Sequence, residues 1–189
     1  MFENAKWITR KPWIEWRMPS YEELPPAPYL TKSFNAEKDV ASAVLNIVAY
    51  GQGAYFINGK RIPDSYLPTV HSLTEKTLVY SSYDLTGDIV KGKNKIGVVI
   101  GNGFQTNQAN TYRGYVRMIA QLDITYKDGT EEQIVSNTSW KTADSPILYD
   151  MRRCGEKFDA RLKINGWCDP DFDDSAWDNA FICKGLGGK

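Results

Sequence analysis

Apolar positions along this chain recur mostly with a period of two, broken at short intervals by glycine, proline and asparagine. Residues 40–50 alternate well, with Val40, Val44, Ile47 and Ala49 set among smaller or polar residues, the pattern of a half-buried strand. Gly51 and Gly53 break the run. Ala54-Tyr55-Phe56-Ile57 then meets Asn58-Gly59, and Lys60-Arg61-Ile62 follows. Asn-Gly between two extended runs predicts a two-residue hairpin, because a type I′ turn needs positive φ at both central positions. Residues 29–34 and 77–84 read as further strands. Residues 95–100 are nearly all apolar, which predicts a strand buried on both faces. Residues 116–126 form a long strand, Lys127-Asp128-Gly129 turns it, and residues 130–136 return. Short extended pieces follow at 140–142 and 147–151. Only residues 86–90, capped by Thr86, and 174–180 read as helical.

So many short strands between turn signals predict an all-β sandwich or barrel. Pro12, Pro19, Pro25, Pro26 and Pro28 exclude a long helix from the first segment, and its Trp13, Trp16 and Tyr21 are expected to pack on the sandwich. No repeat, low-complexity tract or inner linker divides the chain. The expected organisation is one domain over 1–189: an N-terminal arm with a Pro/Trp-rich loop (1–28), a core (29–183), and a linker or cut end (184–189).

The 189 residues suffice for a full core without disulfides. Charge balances at 23 basic and 23 acidic residues, so the basic surface expected of a nucleic-acid-binding protein is not indicated. No apolar run reaches the length of a membrane span. Residues 1–7 lack a basic-then-apolar signal pattern, and the expectation is a cytoplasmic protein unless a signal has been removed. Cys154, Cys168 and Cys183 are odd in number and widely spaced, which reads as free thiols, with one bridge plus one free thiol as the alternative, and without the close pairs of a zinc site. Asn137-Thr138-Ser139 is a common three-residue glycosylation match.

Several segments, kept in order, carry a resemblance to a known family. They are Ala5-Lys6-Trp7-Ile8; Pro26 to Phe34; Gly51 through Asn58-Gly59-Lys60; Tyr83-Asp84-Leu85-Thr86; Gly92-Lys93-Asn94-Lys95-Ile96-Gly97-Val98 with Gly101-Asn102-Gly103-Phe104; Ser139-Trp140-Lys141; Gly155-Glu156-Lys157-Phe158-Asp159-Ala160-Arg161; and Phe172-Asp173-Asp174-Ser175-Ala176-Trp177. Together they resemble the N-terminal domain of bacterial α-L-rhamnosidases of glycoside hydrolase family 78. The Gly-Glu-x-x-Asp-Ala-Arg segment is the most specific. The resemblance implies an all-β jelly-roll β-sandwich with a galactose-binding-like fold. It implies that catalysis, by inversion between two carboxyl groups, lies in an (α/α)₆ barrel further along the parent chain. No catalytic residue is therefore carried over. The implied partner is the catalytic domain of the same parent chain, with a rhamnose-containing glycan as ligand and neither nucleic acid nor membrane.

The sequence departs from that pattern where Pro63-Asp64 replaces a Gly-Asp, Leu67-Pro68-Thr69-Val70 replaces a Pro-Gly-Trp-Thr loop, and Phe104 stands where Trp is common. Related sandwiches bind L-rhamnose through calcium, which needs several hard oxygen ligands. The ligand-binding candidates are Asp64, Asn102, Glu156, Asp159 and Arg161, with calcium considered at Asp64 and Asn102. The structural reading makes Asn58 and Asn102 turn residues and Glu156, Asp159 and Arg161 a polar network. Residues 169–174 fail the EF-hand pattern, which needs Gly where Asp174 stands and Glu where Ala180 stands; Asp173 or Asp174 is read as a cap. His71, the one histidine, sits in a Ser/Thr-rich loop without a nucleophile elbow. Three roles are weighed: an accessory sandwich, a carbohydrate-binding module, and an enzyme by itself. The first is favoured.

Overall fold

The structure, a computed structural model, describes residues 1–10, 25–63, 72–103, 115–151 and 155–187. Its strands in chain order are β1 (Ile8–Thr9), β2 (Pro28–Ala36), β3 (Val40–Tyr50), β4 (Gln52–Ile57), β5 (Lys60–Ile62), β6 (Ser81–Asp84) and β7 (Gly92–Gly101). There follow β8 (Arg117–Tyr126), β9 (Glu131–Val135), β10 (Lys141–Asp144), β11 (Ile147–Met151), β12 (Gly155–Phe158), β13 (Asp178–Asn179) and β14 (Phe181–Ile182).

Two six-stranded antiparallel sheets make the sandwich. The first runs β14-β1-β8-β3-β6, with β9 also on β8, and the second runs β13-β10-β2-β7-β4-β5. β3 and β8 are in register from Ser42↔Thr125 to Tyr50↔Arg117, and β2 and β7 from Tyr29↔Val99 to Ala36↔Gly92. Alternation then sends Leu45, Ile47 and Leu122 from one sheet, and Leu30, Val98 and Ile100 from the other, into a shared core with Trp140. The Trp140 indole N–H is satisfied by the Val135 carbonyl at 3.0 Å.

The hairpin forms as the sequence predicts, with Asn58 and Gly59 at φ 49° and 80° between β4 and β5. The run at 95–100 is buried on nearly every residue. Other elements differ. Of residues 77–84 only β6 pairs. Leu78 instead packs over the outer face of the first sheet, against a cluster of Ala5, Val48 and Ile119, while Val79 and Tyr80 are exposed. At 86–90 there is a single turn, closed by Asp88 and Ile89 N–H on the Leu85 carbonyl. Its cap is Asp84, whose Oδ1 accepts from the Thr86 N–H at 2.9 Å and hydroxyl at 2.6 Å; the Thr86 oxygen accepts from Ala43 N–H. The expected helix at 174–180 is one turn, with Asp173 accepting from Ser175 N–H, after which the chain becomes β13. The β12 strand, not expected from the pattern, pairs with β11 as a separate two-stranded sheet. The rings of Trp13, Trp16 and Tyr21, together with Cys154, lie outside the described residues.

The outer face of the second sheet is roofed by residues 163–177. Tyr29 stacks on Trp167 at 4.2 Å and on Trp177 at 5.9 Å between ring centroids, and Phe56 meets Trp167 edge-on at 5.3 Å. Under this roof Lys95 is fully buried. Its Nζ donates to the Phe172 carbonyl at 2.5 Å and lies 3.1 Å from Asp174 Oδ2.

Candidate functional site

β7 ends at Gly101, and the chain turns there through Asn102 and Gly103. Asp150 on β11 holds this turn. One carboxylate oxygen accepts from the Gly103 N–H at 2.9 Å and the other from Asn102 Nδ2 at 3.2 Å. Asn102 is thereby buried. Across the hairpin Asp150 stands opposite Glu156, so the two side chains share a face, and Glu156 is exposed. At the start of β4, Gln52 pairs in register with Gly101, and its buried Nε2 has no hydrogen-bond partner among the described residues. Gln52, Asn102, Asp150 and Glu156 thus gather at the end of the sandwich where β7 stops and β4 begins.

Two candidates from the sequence, Asn102 and Glu156, are brought together here, through an aspartate that local pattern did not single out. Asp150 lies within a short extended run, and nothing in that run shows that it will meet a turn 47 residues earlier. Amides and carboxylates at such an edge can hydrogen-bond the hydroxyls of a polyol. Calcium takes about six to eight oxygens. Among the described residues no group of three or more His, Cys, Asp or Glu is placed to hold a metal. Asp64 and His71 fall outside the described residues.

Asp159 and Arg161 partner each other instead. Asp159 begins the 3₁₀ turn Ala160–Leu162 and accepts from the Arg161 N–H at 3.0 Å, Nε at 2.9 Å and Nη2 at 2.6 Å. The Arg161 guanidinium holds the Asp159 carboxyl below the usual carboxylate range. The structural reading grouped Glu156 with them in one polar network, whereas Glu156 lies opposite Asp150. The Phe-Asp-Asp-Ser-x-Trp segment is likewise structural, supplying the cap at Asp173, the counter-charge at Asp174 and the roof at Trp177. The stacked rings on the second sheet engage one another, with the faces of Tyr29 taken by Trp167 and Trp177.

A family model described as the alpha-L-rhamnosidase N-terminal domain matches residues 38–186. An alpha-L-rhamnosidase of Alteromonas sp. (strain LOR) is 34% identical over 181 residues, covering 92% of this chain and 20% of that protein. One from Formosa agariphila is 33% identical over 182 residues, covering 92% and 20%. The solved alpha-L-rhamnosidase from Dictyoglumus thermophilum superposes with a TM-score of 0.87 at 37% identity, over 98% of this chain and 22% of that one. The Streptomyces avermitilis enzyme complexed with L-rhamnose gives 0.78 at 29% identity, over 85% and 16%. A Pleurotus ostreatus lectin in complex with GalNAc, at 19% identity and a TM-score of 0.62, shares the fold. The chain spans about one fifth of the length of the curated relatives it matches. With a sandwich of this topology and a match over most of its length, the chain belongs to the α-L-rhamnosidase N-terminal domain family.

Proposed function

We propose that this sandwich is a non-catalytic accessory domain of an α-L-rhamnosidase that removes terminal α-L-rhamnose from glycosides, packing against an (α/α)₆ catalytic barrel in the same parent chain. The observation that carries the reading is coverage: relatives named for the enzyme match this chain over only about a fifth of their own length. The placement of the carboxylates supports it. Asp159 is tied to Arg161, Asp174 to Lys95 and Thr31, and Asp150 to the Asn102 turn, so each serves the fold. The test is an assay of the purified 189-residue chain on an aryl α-L-rhamnoside beside the longer enzyme. The expected result is turnover by the longer enzyme alone; turnover by this chain overturns the reading.

A second reading, recognition of L-rhamnose, is favoured by one observation: Gln52 Nε2, unpartnered among the described residues, at the sheet end that also carries Asn102, Asp150 and Glu156. Calorimetric titration with L-rhamnose, in calcium and then in chelator, tests it. Saturable heat that is lost in Glu156→Gln supports recognition at this edge, and the exposure of Glu156 keeps that substitution from disturbing the core. No heat in either condition removes it.

A further inference from the structure

We infer that Asn102-Gly103 is a self-modifying site, at which the Gly103 nitrogen displaces the Asn102 side-chain nitrogen as ammonia and Asp150 relays the proton. This goes beyond the accessory-domain reading and does not depend on it. The chain contains three Asn-Gly pairs, at 58–59, 102–103 and 165–166. Glycine leaves its own nitrogen unshielded by a side chain, so all three have the covalent makeup for ring closure. They differ in what holds the two nitrogen atoms that react. At Asn102-Gly103 one carboxylate holds both. Asp150 Oδ1 accepts from the Gly103 N–H at 2.9 Å, and Oδ2 accepts from Asn102 Nδ2 at 3.2 Å. The oxygens of a carboxylate sit side by side, so the nucleophile and the leaving group are held side by side as well. Gly101 makes room for this, since a Cβ there would stand 2.9 Å from Asp150 Oδ1. Asn102 is only 5% exposed, which keeps the pair oriented and limits competition from water.

The other two pairs lack this arrangement. The Gly59 N–H is committed to the Cys168 carbonyl at 3.1 Å, and Asn58 Nδ2 to the Asp88 carbonyl and Asn94 Oδ1, both at 2.9 Å. The nearby Asp169 carboxylate fills the space of a Gly59 Cβ and is not what that N–H meets. Asn165 is exposed in a turn. At Asn102 the step balances. Asp150 Oδ1 takes the Gly103 amide proton as that nitrogen attacks Asn102 Cγ and the new N–Cγ bond forms. The Cγ–Nδ2 bond then breaks, and Asp150 returns the proton to Nδ2, which departs as ammonia. A succinimide remains and the carboxylate is restored. Water opens the ring at Cγ to give aspartate, or at the main-chain carbonyl to give isoaspartate. Either product sets a second carboxylate against Asp150 where Asn102 had donated. Like charges repel, so the turn at the end of β7 loses its hold as the molecule ages.

The test is peptide mass mapping of the folded protein during incubation at mildly alkaline pH. Loss of ammonia, then gain of water, is followed at all three pairs, with a urea-unfolded sample as the uncatalysed reference. The expected result is reaction at Asn102 faster than in the unfolded chain by about tenfold or more, with Asn58 and Asn165 at or below their unfolded rates. Asp150→Asn keeps an oxygen that accepts from Gly103 but takes no proton. It is expected to bring Asn102 down to the unfolded rate or below. An intact Asn102, a rate no higher than in urea, or an Asp150→Asn variant that reacts like the wild type each overturns the inference. Should Asp150→Asn lose its fold, the comparison of folded with unfolded wild type decides alone. Asn102→Asp, which installs the product's charge directly, is expected to lower the melting midpoint; an unchanged midpoint overturns the release of the turn.

Discussion

Lys95 and Asp174, 79 positions apart in sequence, meet at 3.1 Å beneath the roof of residues 163–177, with the lysine side chain wholly buried. Asp174 Oδ2 also accepts from the Thr31 hydroxyl at 2.6 Å, and Lys95 Nζ lies 5.2 Å from the centre of the Phe172 ring. A buried charge that loses its partner is strongly destabilised, whereas removing the charge itself is far less costly. Asp174→Ala is therefore expected to cost about 3–5 kcal/mol. Lys95→Met, which leaves a partly exposed aspartate still bonded to Thr31, is expected to cost clearly less. Urea unfolding of both variants checks this, and equal losses would contradict the asymmetry.

Gly97 gives the roof its seat. A Cβ there would come within 2.6 Å of Cys168 Cβ and 2.8 Å of the Trp167 ring. Since both neighbours belong to a packed layer, Gly97→Ala is expected to lift residues 167–168 from the sheet at about 1–3 kcal/mol. Loss of the Tyr29–Trp167 stacking in near-ultraviolet circular dichroism, along with a lower midpoint, is the readout. An unchanged spectrum would show that the roof does not depend on that contact.

Ile8 is a two-strand junction. It pairs with Met118 of β8 on one side and Ile182 of β14 on the other, and it is fully buried. Ile8→Ala is expected to cost about 2–5 kcal/mol and to raise amide exchange at 180–183, because β14 has β1 as its only strand partner among the described residues. Protection in 180–183 that survives the substitution would place the hold on β14 elsewhere.

Alkaline pH should weaken the fold over a defined interval. Burial pushes the Cys168 and Cys183 thiols from 9.0 up to about 11. Burial and a hydrogen bond to Glu132 push Tyr126 from 10.0 up to about 12. Each group loses its proton more easily when unfolded, so the stability it contributes is intact below about pH 9 and drains as pH rises toward 11–12. Melting temperatures at about pH 8, 9.5 and 11 are expected to fall in that order, with a shallower fall in Cys168→Ala/Cys183→Ala. The native Cys168 and Cys183 thiols should also resist alkylation at about pH 8, since the thiolate is the reactive form.

The outer face of the sandwich shows where sequence reading reaches and where it stops. The Asp174 segment reads locally as a cap before a short helix. Its capping half is right, because Ser175 N–H on Asp173 is a contact two residues long. Its helical half is wrong, since Asp178 and Asn179 are claimed by β10 in a ladder that no local pattern describes. The same holds for the polar edge at Asn102. An Asn between two glycines signals a turn, but only the folding back of β11 adds Asp150 and Glu156. Asp159 and Arg161, two residues apart, pair with each other, while Glu156, expected in the same network, stands across the hairpin from Asp150.

What the sequence determined by itself is what short-range physics controls. Asn58-Gly59 set the first hairpin through positive φ, the apolar run at 95–100 set a strand buried on both faces, and period-two alternation set an all-β sandwich or barrel. Ordered motifs added the family. Only tertiary structure decided that β1 inserts between β8 and β14, that Lys95 finds its counter-charge in Asp174, and that Asp150 joins Asn102 to Glu156. Apart from the local pairing of Asp150 with Glu156, these contacts join residues 47 or more positions apart, and their partners are chosen by sheet order and by which face is left to cover, neither of which is written in any local window.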